Sequence, residues 1–216
     1  MTLSYIVSGF AVGLLVGMTG VGGGSLMTPL LTLLFGVPPS VAVGTDLAFA
    51  SITKSAGTLT HRLRGTIRWD IVKRLCIGAL PAAVVATLAL KSFGTLSPEI
   101  GQIIRYSIAA SVLLTVVALI FKGRMLAWIN AHPEKQLQGN KLAAATIIAG
   151  AVLGVLVTIS SIGAGAIGAT LLVMLYPRMS SAEVAGTDIA YAVPLTAIAA
   201  LGHWWLGSIH WELLAS

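Results

Sequence analysis

The chain has 216 residues, 56% of them hydrophobic and only 9% charged, with a formal net charge of +6 and a mean hydropathy of +0.94. A soluble domain solvates its surface with about a quarter charged residues, so this composition excludes an ordinary soluble domain and points to lipid as the solvent. The basic residues are spread over connecting segments, which argues against a nucleic-acid interface and reads as loop charge.

Apolar segments fall at 4–21, 24–36, 41–60, 72–92, 102–121, 141–158, 164–176 and 183–206. The longer ones approach the roughly 20 residues that cross about 30 Å of hydrocarbon. Each reads as helix, because backbone facing lipid must satisfy its own hydrogen bonds. Their apolar character is continuous, not alternating, which excludes a β-barrel. The fold class expected is therefore an all-α, polytopic integral membrane protein. The N-terminus, M-T-L-S-Y-I, lacks a basic n-region and reads as a retained membrane segment. Pro81 and Pro194 lie inside segments and should bend them. Cys76, the single cysteine, lies in a span and has no internal disulfide partner. The stretch 122–141 carries Lys122, Arg124, Lys135 and Lys141 and is the one long polar connection. Leu126, Trp128 and Ile129 suit part of it to the membrane surface; a plain linker is the competing reading.

An internal repeat organises these segments. G-T-D-L-A-F-A (Gly44–Ala50) returns as G-T-D-I-A-Y-A (Gly186–Ala192), an offset of 142. The match continues from His61–Asp70 to His203–Glu212. Upstream, after a one-residue shift, G-V-G-G-G-S-L (Gly20–Leu26) matches S-I-G-A-G-A-I (Ser161–Ile167). The first half thus occupies 1–121, the basic linker 122–141 and the second half 142–216. Arg62, Arg64 and Arg68 of the first copy become Trp204, Leu206 and His210 in the second. Positive charge marks cytoplasmic loops, so 61–74 is expected inside and 203–212 outside. An inverted repeat follows, the usual plan of secondary transporters. Two segments, 72–92 and 102–121, have no counterpart after the second copy, which leads to the expectation of a C-terminally shortened product. A naturally short chain that oligomerises is the alternative.

Four glycines within five residues (Gly20, Gly22, Gly23, Gly24) are poor helix material in so apolar a setting. Gly20, Gly22 and Ser25 nearly fit a dinucleotide fingerprint, with Asp46 downstream. That motif needs a preceding strand and a soluble βαβ unit, and neither is present. Gly9, Gly13 and Gly17 read as close helix packing. Gly22, Gly23 and Gly24 read as a helix break, whose free N–H groups and positive dipole end would hold an anion. Ser25 adds a hydroxyl. Ser160, Ser161, Gly163 and Gly165 would form the matching break in the second copy.

Asp46 and Asp188 stand inside apolar segments, where an ionisable residue is costly and functional by default. With Thr45 and Thr187 they could cap helix starts, or they could gate and carry protons beside an anion. Lys54, replaced by Thr196 in the second copy, could pair with Asp46, attract an anion or snorkel toward the basic loop. The histidines have no metal-ligand spacing, and no nucleophile–base pair or ATPase P-loop appears. No enzyme chemistry, cofactor or metal is implied. The expected partners are the bilayer, a small anion and, in the oligomerising alternative, further copies of the chain.

Together, G-x-x-x-G…G-V-G-G-G-S-L-x-x-P-L-L (Gly13–Leu31), A-V-G-T-D-L-A (Ala42–Ala48), G-x-I-R-W-D (Gly65–Asp70) and their second-copy echoes resemble the TauE/SafE sulfite exporter family. The resemblance implies a multi-span bacterial inner-membrane permease for sulfite, organosulfonates or related anions, carrying further C-terminal helices. Ala164 and Ala166 depart from the richer glycine of that family's second motif. An inactive accessory or scaffold subunit and an intramembrane enzyme are the rival readings.

Overall fold

The computed structural model describes residues 9–14, 23–92, 98–132 and 136–211. Among these there is no strand. The chain is helical over 9–14 (α1), Gly24–Leu33 (α2), Pro39–Leu63 (α3), Trp69–Ser92 (α4), Pro98–Ala131 (α5), Gly139–Ser160 (α6), Ala166–Leu175 (α7) and Ser181–Trp205 (α8). Four of them are long and apolar enough to cross a membrane: α4, α6, α8 and residues 101–129 of α5. Side chains such as Ile77, Val85, Leu113, Ile120 and Ile148 stand exposed on these helices, as a lipid-facing surface requires.

The inversion of the repeat is visible in how α3 meets α8. The Thr45 hydroxyl, early in α3, accepts a hydrogen bond from the His210 N–H at 3.0 Å, just past the end of α8. The Thr187 hydroxyl, early in α8, accepts one from the Arg68 N–H at 3.1 Å, just past the end of α3. The two bonds are the same bond under the offset of 142. Start meets end in both, so α3 and α8 run antiparallel. Gly44 and Gly186 make the approach possible. A Cβ on Gly44 would strike the Ser208 carbonyl and His203, and one on Gly186 would strike Thr66 and His61. These are again matched partners.

Glycine also brings α4 against α6. Cβ atoms on Gly78, Gly150 and Gly154 would meet the backbones of Ile147, Leu75 and Ala79 respectively. These residues, not the N-terminal glycines, carry the small-residue packing expected between membrane helices. Nothing described lies within 4 Å of a Cβ on Gly13, and a Cβ on Gly9 would touch only the end of Met27 at 3.8 Å. Gly17 lies outside the described residues.

Two readings are corrected. The stretch 122–141 is not a linker along its whole length: α5 continues through Lys122, Arg124 and Trp128 to Ala131 before the chain turns. Lys122, Arg124, Met125, Leu126 and Ala127 are good helix formers, and no proline intervenes before Pro133, so α5 runs on past Gly123. Asp46 and Asp188 do not cap helix starts. Proline at the first position opens α3, well before Asp46, and Ser180 with Glu183 forms a capping box on α8. The two prolines expected to bend their helices, Pro81 and Pro194, do lie inside α4 and α8. The tryptophans lie at or beyond helix ends: Trp69 opens α4, Trp128 is near the end of α5, and Trp204, Trp205 and Trp211 close α8 or follow it. Their amphipathic rings suit the two headgroup levels.

Candidate functional site

The second-copy break is clear. Helix α6 ends at Ser160, and Ser161 takes a left-handed conformation with φ 59. Gly163 and Gly165 follow at φ 140 and 131, values that a side chain would strain. Helix α7 starts at Ala166 with no side-chain cap. It then turns back alongside α6, because the Tyr176 hydroxyl at its end hydrogen-bonds Thr146 of α6 at 2.7 Å. Ten residues at 1.5 Å each make α7 about 15 Å long, half of a hydrocarbon span. Helices α6 and α7 therefore form a hairpin whose tip is the break.

The first-copy half-helix matches it. Helix α2 is also ten residues long, begins at Gly24 and has no side-chain cap at Gly23. Gly22 lies outside the described residues. The head of α2 meets that break: a Cβ on Gly24 would strike the Ser161 carbonyl and lie 3.1 Å from Asp46 Oδ2. Two uncapped helix N-termini thus converge on one buried point. Each brings first-turn N–H groups and the positive end of a helix dipole.

Both carboxylates stand at this junction. Asp46 is 2% exposed and accepts a hydrogen bond from the Thr28 hydroxyl of α2 at 2.7 Å. The Ser161 hydroxyl approaches the same carboxylate, but without a hydrogen bond of good geometry. Asp188 is 4% exposed. The Gly165 N–H, at the head of α7, lies near its carboxylate without a hydrogen bond of good geometry. Its Oδ1, however, has no partner among the described residues, nor has the Tyr191 hydroxyl one turn further along α8. The Lys54 ammonium lies within electrostatic reach of both carboxylates and donates to the Ala164 carbonyl in the break at 3.3 Å. It does not snorkel to the basic loop, as one reading of the sequence has it.

The remaining candidates divide. Ser160 turns away from the carboxylates: its hydroxyl donates to the Leu156 carbonyl at 2.7 Å and meets Ser111 of α5 at 3.1 Å. Thr45 and Thr187 clasp the opposite repeat, as described above. Gly163 and Gly165 shape the break, and Ser25 is half-buried in the first turn of α2. Sequence reasoning missed Thr28 and Tyr191. The second was within reach, since the repeat aligns Tyr191 with Phe49 and a hydroxyl gained inside a membrane is a polar event. Among the described residues, no group of three His, Cys, Asp or Glu side chains is placed to hold a metal ion.

Comparison with known proteins agrees with this architecture. The family model described as "Sulfite exporter TauE/SafE" matches residues 5–216. The chain belongs to the TauE/SafE family. Relatives of this TauE/SafE chain include the probable membrane transporter protein YjnA of Bacillus subtilis. It is 36% identical over 216 residues, covering all of this chain and 84% of YjnA. The probable membrane transporter protein YdhB of the same organism is 26% identical over 211 residues, covering 95% and 80%. A probable membrane transporter protein of Xylella fastidiosa is 31% identical over 155 residues, covering 69% and 55%. No solved structure matches the chain. Family and fold together make it a membrane transport protein built on helix hairpins.

Proposed function

We propose that this chain moves a small sulfur-containing oxyanion, sulfite or an organosulfonate, across the bacterial inner membrane as a secondary permease. The observation that carries the reading is the meeting of two uncapped helix N-termini beside the half-buried Lys54. Helix ends of this kind hold anions without a surplus of charged side chains, and broken helices at mid-membrane are where secondary transporters place their substrates. The family's description as sulfite exporters supports the choice of anion.

In this reading Gly23, Gly24 and Ser25 on one side and Ser161, Gly163 and Gly165 on the other line the anion site, with Ser160 fixing the second break. Asp46 and Asp188 carry the coupled proton, since a protonated acid is neutral and donates a hydrogen bond to an anion. Purified protein in liposomes tests it. Saturable, pH-gradient-driven flux of sulfite or a sulfonate is expected, and it should be lost on Lys54→Met. PH-driven flux that survives Asp46→Asn unchanged would remove Asp46 from the proton step. An accessory or scaffold subunit, the alternative function, would give no flux at all.

A further inference from the structure

The two copies share a skeleton but not their fittings at the junction. In the first copy, Asp46 is satisfied by Thr28, and the position equivalent to Tyr191 is Phe49, which is exposed. In the second copy, Asp188 Oδ1 and the Tyr191 hydroxyl are buried and unpartnered, with Tyr191 0% exposed. Buried polar atoms are almost always hydrogen-bonded, and an orphan needs an explanation. Both orphans look at one place. A Cβ on Gly168, in the first turn of α7, would strike Asp188 Oδ1 and lie 2.8 Å from the Tyr191 oxygen. Here an acceptor and a donor sit side by side at the head of a helix. The Gly165 N–H and Lys54 complete the surroundings, with Asp46 across on α3 and Cys76 on α4.

When Asp188 has given up its proton, a plain oxyanion would use only the donors of this set and would meet the lone Asp188 oxygen unfavourably. From the paired orphans we infer that the site selects an anion that also bears a hydrogen-bond donor, such as an acid O–H, a hydroxyl or an ammonium. The ligand's donor binds Asp188 Oδ1, and its anionic oxygens take the Tyr191 hydroxyl, the Lys54 ammonium and the helix N–H groups. This makes hydrogensulfite, rather than the sulfite dianion, or a hydroxy- or aminoalkanesulfonate the fitting class. The inference rests on the oxyanion reading above and narrows it.

The test is calorimetric titration of the full chain in detergent with two matched pairs: hydrogensulfite against methanesulfinate, and 2-hydroxyethanesulfonate against propane-1-sulfonate. In each pair a methyl group replaces the O–H. A site built to bond a substrate O–H rejects the analogue that lacks it, and one hydrogen bond to a charged group is worth at least about tenfold in affinity. The donor-bearing member of at least one pair should therefore bind about tenfold tighter or more. Asp188→Ala should bring that ratio to about one. Tyr191→Phe should weaken both members alike and keep the ratio. Ratios near one in the wild-type chain, or a ratio untouched by Asp188→Ala, overturn the inference and leave the oxyanion reading standing. Failure of all four anions to bind overturns the oxyanion reading itself. The wild-type ratio needs no variant to fold.

Discussion

Gly24 is the residue on which the meeting of the two half-helices depends, and Gly24→Ala measures it. The added Cβ would collide with the Ser161 carbonyl, a backbone group that cannot rotate away, and press on Asp46 Oδ2 at 3.1 Å. Overpacking of this kind costs about 1–3 kcal/mol, and a backbone neighbour places it at the upper end. Against this stands the helix-propensity gain of Gly→Ala, at most about 1 kcal/mol. The control is Gly123→Ala in α5, where nothing lies within 4 Å of the new atom and only the propensity gain remains. Taking about 2 kcal/mol of net loss against about 1 kcal/mol of gain, the two variants should differ by roughly 3 kcal/mol. At about 2–4 °C per kcal/mol for a chain of this size, the melting temperatures should differ by roughly 6–12 °C. Thermal unfolding in detergent reads this directly. A Gly24→Ala protein melting within about 2 °C of the Gly123→Ala protein would refute the contact between the head of α2 and the break.

Three further outcomes are expected. Thr45→Val and Thr187→Val each remove one inter-repeat hydrogen bond, so each should cost about 1 kcal/mol; the double variant should be additive in chemical denaturation, because the two clasps share no partner. In a Cys76→Ala background, Arg62→Cys and Trp204→Cys occupy matched positions of the two copies, and a membrane-impermeant maleimide should label them from opposite faces; labelling from the same face would disprove the inversion. Tyr176→Phe unties the end of α7 from Thr146, and should make the 160–176 hairpin more open to limited proteolysis while lowering stability by about 1 kcal/mol.

Much of the fold could be read in advance because a bilayer leaves few options. Helices are the economical solution for continuously apolar segments, and loss of three arginines between copies fixes the relative orientation. The helix break at 161–165 was readable because Gly163 and Gly165 occupy conformations that other residues avoid. The roles of Thr45 and Thr187 were not. Their position beside the carboxylates suggests a shared task, whereas their hydroxyls face the other repeat's loop. Adjacent residues on a helix point some 100° apart, and sequence proximity conceals this. Nor could packing glycines be told from merely permitted ones. Gly13 and Gly154 both stand in small-residue patterns, but only Gly154 lies on another backbone, and that is decided by the neighbour, not by the motif. Lys54 reaches the Ala164 carbonyl across 110 positions of sequence, a contact no local pattern encodes.

The two clasps, Thr45 to His210 and Thr187 to Arg68, have a consequence for the working cycle. Each ties the start of one copy's long helix to the loop that ends the other's, and the two are equivalent bonds of nearly equal length. As matched ties they build no asymmetry into the frame. The asymmetry lies in the unequal parts: Arg68 bridges to Glu183 at one clasp, and Lys54 and Tyr191 stand where the other copy has Thr196 and Phe49. Direction in such a machine is a property of its few unmatched side chains and of the gradients across it, not of its frame.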